Sequence, residues 1–137
     1  MEINILGLTA ALSAFFSIWF GHVAVRKVEF LSPTIWLPTV IFATVGLFVE
    51  FLSLSIVNRP WSAALGILGI TLLFDALEFT RQQNRVKKGH APANPNNPRH
   101  AKILAEYSSA TTLDLLKRDP IGRIVSTKKA TQRASTL

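Results

Sequence analysis

The chain contains no cysteine and few charged residues. The absence of cysteine excludes disulfide bonds, cysteine nucleophiles, zinc–thiolate sites and cysteine-ligated iron–sulfur clusters. Only 17% of the 137 residues are charged, whereas 49% are hydrophobic. A chain of this length is too short for two soluble domains and too apolar for one ordinary small soluble domain. The composition therefore favours a membrane protein.

Positive charge is scarce in the first part of the chain. Residues 1–80 contain three Lys or Arg and five Asp or Glu. Residues 81–137 contain twelve Lys or Arg and three Asp or Glu. The change follows an apolar stretch, Pro60 to Phe79, which as a helix would span about 30 Å, the thickness of a bilayer core. The sequence thus predicts two parts: a membrane domain, residues 1–89, and a basic tail containing Pro and Asn, residues 90–137.

Three apolar segments predict an all-α membrane domain with three transmembrane helices, at about residues 3–25, 35–57 and 60–80. We expect the first segment to be a retained span rather than a signal peptide, because its positive residues, Arg26 and Lys27, follow it. Only Arg59 lies between the second and third spans, and four cations follow the third. The positive-inside rule then places the N-terminus outside and the C-terminus in the cytoplasm.

Small residues recur at helical spacing in the first and third spans. Such stripes allow close backbone approach, so we expect these two to face each other or a partner subunit. The alternative is that small residues are simply common in membrane helices. The stripes consist of Ala10, Ala14, Ser17 and Gly21 in the first span and Ser62, Gly66 and Gly69 in the third.

Three cations that follow the third span, Arg81, Arg85 and Lys88, share one helix face. They would lie at headgroup level, where they are expected to contact anionic lipid. Gly89 is expected to end the helix. Residues 90–98, rich in proline and asparagine, predict an extended linker.

One or two short helices are predicted beyond the linker. Asn97 and Pro98 fit an N-cap and a first helical residue, and Thr112 fits a second N-cap. Apolar side chains in this region predict a segment that docks on a partner. They are Ile103, Leu104, Tyr107, Leu115 and Leu116.

Three short motifs carry a resemblance to a known family. They are the run R-V-K-K-G-H-A-P-A-N-P at Arg85–Pro95, Gly21–His22, and Phe48–Val49–Glu50. Together they resemble a family of small bacterial membrane proteins, the domain of unknown function numbered 4491, over residues 3–98. The resemblance implies three helices and a bacterial inner-membrane location. It implies no activity, ligand or catalytic residue.

Carboxylates within the spans are the main candidate chemical groups. Glu50 lies inside the second span, where an unpaired charge costs about 2.5 kcal/mol or more, so it must be neutral, paired or hydrated. It could be a proton or cation site, but a protonated side chain that is hydrogen-bonded to a neighbouring helix or partner is favoured. Asp75 and Glu78 lie three residues apart near the inner interface, and with Arg81, His22 and Lys27 they predict a structural ion-pair cluster.

Motifs for catalysis or cofactor binding are not found in the sequence. It has no nucleophile–base pair, phosphate-binding loop or metal motif, and His22 lacks a second histidine within the spans. We therefore expect a protein that is not an enzyme and binds no cofactor. Tyr107 is the single aromatic of the basic tail, so lipid or an acidic protein surface is favoured over nucleic acid as a partner.

Three classes of function fit this sequence. The favoured one is a non-catalytic accessory or structural subunit of a larger bacterial membrane complex, with its tail docked on the cytoplasmic face. The second is a small oligomeric transporter or channel that uses the intramembrane carboxylates. The third is a regulatory protein that binds lipid through Arg81, Arg85 and Lys88.

Overall fold

The computed structural model of the chain describes residues 3–114. Over this range the protein is all-α, with four helices: α1 Ile5–Leu31, α2 Trp36–Ser55, α3 Arg59–Lys87 and α4 Pro98–Glu106. The first three are long and apolar enough to cross a membrane, which confirms the predicted number of candidate spans. Large apolar side chains cover much of their outer surface, as contact with lipid tails would require.

Asparagine side chains begin three of the four helices. Asn4, Asn58 and Asn97 each accept a hydrogen bond from a backbone N–H in the first turn of α1, α3 and α4 respectively. Such N-caps satisfy donors that have no partner within the helix. The predicted start of α4, with Asn97 as the cap and Pro98 as the first helical residue, is confirmed.

Helix α3 is the centre of the bundle, and α1 and α2 each pack along it. The contact with α2 is close at two glycines: a methyl group at Gly46 would lie 3.0 Å from the carbonyl oxygen of Gly69. Ser53 and Ser62 exchange hydrogen bonds, each hydroxyl donating to the other's backbone carbonyl, at 2.8 and 2.9 Å. Close packing and paired hydrogen bonds thus hold α2 to α3.

Helices α1 and α3 extend beyond their predicted spans, to Leu31 and Lys87. Both extensions lie at the end of the bundle where α2 begins. This end carries the cations Arg26, Lys27, Arg81, Arg85, Lys87 and Lys88, and we call it the basic end.

Gly89 ends α3 as predicted. Its φ angle is +71°, a conformation that L side chains rarely adopt. The N–H of His90 donates to the Arg85 carbonyl at 2.8 Å, and the N–H of Gly89 donates to the Val86 carbonyl at 3.0 Å. These two bonds form a Schellman motif, which turns the chain back toward α1.

The predicted linker at residues 90–98 forms no helix or strand before α4 begins at Pro98, but it packs on the bundle. The segment folds over the basic end together with α4, and it contributes to a buried apolar cluster of Val86, Ala91, Ala93 and Ile103. Leu104 and Ala110 pack at the edge of this cluster. The side-chain amides of Asn94 and Asn97 attach this segment to the end of α1.

Candidate functional site

The last turn of α1 is capped by side chains that follow α3 in the sequence. The Asn94 amide donates to the carbonyl oxygen of Phe30 at 3.2 Å, and the Asn97 amide donates to Phe30 and Ser32 at 3.1 and 2.9 Å. The last carbonyl groups of a helix have no partner within it. Residues more than 60 positions away in the chain therefore satisfy the C-terminus of α1.

Glu29 is the charged centre of this contact. Its side chain is 1% exposed, and its Oε1 lies 2.9 Å from Nη1 of Arg99. The same guanidinium donates from Nη2 to the Glu29 carbonyl at 2.5 Å and from Nε to the Ser32 carbonyl at 3.3 Å. A carboxylate in the last helical turn is disfavoured by the helix dipole. Arg99 thus compensates both the side-chain charge and the negative end of α1.

His100 completes the contact from within the protein. It is fully buried, its Nδ1 accepts a hydrogen bond from the backbone N–H of Asn94 at 2.8 Å, and its Nε2 lies 3.0 Å from Oε1 of Glu29. A backbone N–H can only donate, so Nδ1 carries no proton and Nε2–H donates to the carboxylate. These two contacts fix the orientation of the imidazole ring between Asn94 and Glu29.

We call Glu29, Asn94, Asn97, Arg99 and His100 the junction. Its charges and donors are held in fixed pairs, and the ring of His100 also packs edge-on against Phe30, with 6.1 Å between ring centroids. An acid or base for catalysis must be able to exchange a proton with a substrate. The junction instead fastens residues 94–100 to α1.

A pocket of about 680 Å³ opens beside the junction. One wall is α1, with the cationic side chains of Arg26 and Lys27 and the imidazole of His22. The rest of the lining comes from α1, from Gln82 of α3 and from the segment that follows α3, and its surface is mainly apolar. These apolar residues are Val23, Phe30, Pro92, Ala93 and Pro95.

Comparison with known proteins identifies the family. Residues 4–97 match the family described as "Domain of unknown function (DUF4491)". The chain belongs to the DUF4491 family. No curated protein and no solved structure matches it. The matched range contains Glu29, Asn94 and Asn97 and ends just before Arg99 and His100.

In this DUF4491 chain the predicted ion-pair cluster divides into two parts. Asp75 is buried against α1, where a methyl group at Gly21 would overlap its carboxylate, and it forms no ion pair within residues 3–114. Glu78 instead pairs with cations of its own helix, Arg85 at 2.6 Å and Arg81 at 3.4 Å. Lys27 joins neither carboxylate in an ion pair within residues 3–114.

The cations predicted to contact lipid headgroups are partly engaged within the protein. Arg81 and Arg85 pair with Glu78, but their side chains are still 66% and 48% exposed. Lys88, at the C-cap of α3, is also exposed. Their contact with headgroups stays a prediction.

Glu50 has no polar partner among the residues that the structure describes. It is half-buried on α2 and faces α3, where a methyl group at Gly69 would lie 2.9 Å from its Cγ. The predicted hydrogen bond to a neighbouring helix is therefore not made by α1 or α3. A bond from a partner subunit stays a prediction.

The two small-residue stripes do not pack on each other. Ser62, Gly66 and Gly69 of α3 contact α2, whereas Gly21 of α1 meets the opposite side of α3 at Asp75. Spacing identifies a closely packed face without identifying the helix that packs on it, and contact of the α1 stripe with a partner subunit stays a prediction. The other members of the α1 stripe, which are half-buried, are Ala10, Ala14 and Ser17.

The described residues that are predicted to dock on a partner contact other parts of the same chain. Ile103 is 4% exposed in the apolar cluster, Leu104 packs beside it, and the Tyr107 ring lies 5.1 Å from Nζ of Lys87. Ile103 and Leu104 thus pack within the chain, and docking of this region on a partner stays a prediction. Leu115 and Leu116 lie outside the described residues.

The sequence analysis missed the junction. One signal was present: Glu29 lies at the end of an apolar helix, where the dipole opposes a carboxylate, so a compensating cation is required. Arg26 and Lys27, the nearest cations in the sequence, form no ion pair with Glu29. The actual partner, Arg99, is 70 residues away, and no local pattern points to it.

Proposed function

We propose that this DUF4491 protein is a non-catalytic accessory or structural subunit of a larger complex in the bacterial inner membrane. Its N-terminus lies outside and its basic end lies in the cytoplasm, as the excess of positive charge at that end favours. A reporter fused after residue 137, which preserves the junction, should give a cytoplasmic signal. A reporter fused after Val57 should give an external one.

The main support for this proposal is that Glu50 has no polar partner among the described residues. A carboxyl group in the middle of a membrane helix costs about 2.5–3.5 kcal/mol when it is charged and unpaired. No described residue of its own chain bonds to it, although it lies on a helix with a largely apolar surface. A hydrogen-bond donor on a neighbouring subunit would satisfy it at the edge of the α2–α3 contact.

The arrangement of the other carboxylates favours a subunit over a transport path. Glu50 faces Gly69 on one side of α3, whereas Asp75 faces Gly21 on the other side. Glu78 is neutralised by Arg85. The three carboxylates therefore line no common route within this chain, and a path would have to be built by other subunits.

Two substitutions of Glu50 test the proposal. Glu50→Gln keeps hydrogen bonding and removes the charge, so it should leave the assembly intact. Glu50→Leu removes the proposed hydrogen bond to the partner subunit. Such a bond between membrane helices contributes about 0.6–2 kcal/mol. Co-purification of the partner in mild detergent should therefore fall about 3- to 30-fold.

Glu50→Gln is the matched control, because it differs from Glu50→Leu in hydrogen bonding at nearly the same volume. Equal recovery of the partner with both variants would contradict a subunit contact at this position. Loss of an ion flux in Glu50→Gln, with the complex intact, would instead support the transporter.

A further inference from the structure

We infer that the pocket beside the junction binds the phosphate headgroup of an anionic phospholipid, with Arg26 and Lys27 contacting the phosphate. The inference concerns a ligand of the chain itself and does not depend on the identity of any partner subunit. It rests on the depth, charge and lining of the pocket.

The pocket lies at headgroup depth. The apolar part of α1 ends at Val25, and that of α3 ends at Phe79, so Arg26, Lys27 and Gln82 come directly after the membrane-crossing stretches. Trp19, two turns before Arg26 on α1, is 60% exposed, and tryptophan prefers the membrane interface. Lipid phosphates would therefore lie level with the cationic wall.

The cationic wall carries charge that residues 3–114 do not neutralise. Arg26 and Lys27 form no ion pair with any residue from 3 to 114. Of the two carboxylates on the lining, Glu29 is paired with Arg99, and Asp114 is engaged in an interaction of its own. The pocket thus retains positive charge that attracts an anion.

The negative end of the α1 dipole would normally repel an anion here. In this protein two of the last carbonyl groups of α1, those of Glu29 and Phe30, accept hydrogen bonds from Asn94, Asn97 and Arg99. The junction therefore weakens the negative end of the α1 dipole, which would oppose phosphate binding.

The shape and lining favour a lipid over a free phosphate ion. A pocket of about 680 Å³ is far larger than one phosphate requires and falls within the size range of sites for larger organic ligands. Val23, Phe30 and Pro92 add apolar surface next to the cations. Such a combination suits a phosphodiester joined to a glycerol and acyl chains, as in basic pockets between membrane helices.

Lipid titration of the intact chain tests the inference. The protein, in neutral mild detergent, is titrated with phosphatidylglycerol or phosphatidylcholine, and bound lipid is counted by native mass spectrometry. We expect selective binding of phosphatidylglycerol. The double variant Arg26→Gln/Lys27→Gln should weaken it about 30-fold, because two cations are lost from the site.

The matched control is Arg81→Gln/Lys88→Gln, which removes the same charge at the basic end but outside the pocket lining. It should weaken phosphatidylglycerol binding less than about threefold. Equal losses in the two double variants would show general surface attraction and overturn the inference. Displacement of the lipid by equimolar inorganic phosphate or glycerophosphoglycerol would show a soluble-anion site and overturn it as well.

A second measurement uses the unaltered protein, so it does not depend on the folding of any variant. A photoactivatable phosphatidylglycerol analogue should label peptides that contain residues 22–30 and 92–95. Labelling confined to the outer surface of α2 would overturn the inference.

Discussion

Replacing Arg99 with alanine should weaken the attachment of residues 90–106 to the helical bundle by about 3–5 kcal/mol. The substitution leaves the carboxylate of Glu29 buried without its cation, and it removes three donors from the end of α1. Trypsin cleavage after Lys102, an exposed residue of α4, should become much faster in the variant. The three long helices should still form, because their packing on one another does not involve Arg99.

Two further variants separate the buried charge from other effects. Lys102→Ala removes one positive charge from the same helix at an exposed position, and hydrogen exchange of residues 90–106 should stay unchanged in it. Glu29→Gln added to Arg99→Ala should restore part of the lost stability, since the buried charge is then gone. An Arg99→Ala protein with wild-type exchange and cleavage would contradict the role of this ion pair.

Replacing Gly69 with leucine should separate α2 from α3 and lower the free energy of unfolding by about 2–3 kcal/mol. The first added carbon atom alone would lie 2.9 Å from Cγ of Glu50 and 3.0 Å from its backbone nitrogen. The backbone nitrogen belongs to a helix and cannot move aside as a side chain can. Unfolding by sodium dodecyl sulfate, followed by the fluorescence of the three tryptophans, measures the loss.

Gly7→Leu is the matched control for this substitution. A methyl group at Gly7 would meet only the side chain of Asn4, at 3.5 Å or more, which is an ordinary contact. This variant should unfold within about 0.5 kcal/mol of the wild type. If Gly69→Leu behaves in the same way, α2 and α3 do not approach each other at this glycine.

Much of the helical architecture could be predicted from local sequence. The three apolar stretches predict the candidate membrane helices. Each is long enough to cross the bilayer as a helix, in which the backbone groups form hydrogen bonds with one another. Asn97–Pro98 marked the start of α4, and Gly89 marked the end of α3, because capping and positive φ are local properties of these residue types.

The contacts between helices could not be predicted in the same way. The small residues of α3 marked a close contact, but only the fold shows that α2 occupies it. In the sequence, the apolar side chain of Ile103 predicts an anchor for a partner, because no local pattern shows that the chain turns back at Gly89 and buries Ile103 against Val86.

The junction could not be predicted from the sequence for a related reason. Asn94 and Asn97 are typical of turns and linkers in sequence, where their amides usually bond to nearby backbone. Here they bond to carbonyl groups of Phe30 and Ser32, 64 to 67 residues away. A single sequence contains no signal for such a distant pairing.

Hydrogen exchange of the intact chain in lipid nanodiscs tests most directly whether residues 90–106 are part of the folded membrane domain. The amides of Ala93 and Asn94 donate to the Thr111 carbonyl and to Nδ1 of His100, so they should exchange far more slowly than amides of an unstructured peptide. Exchange of both amides at the unstructured rate would show that the segment is a free tail and would contradict the junction.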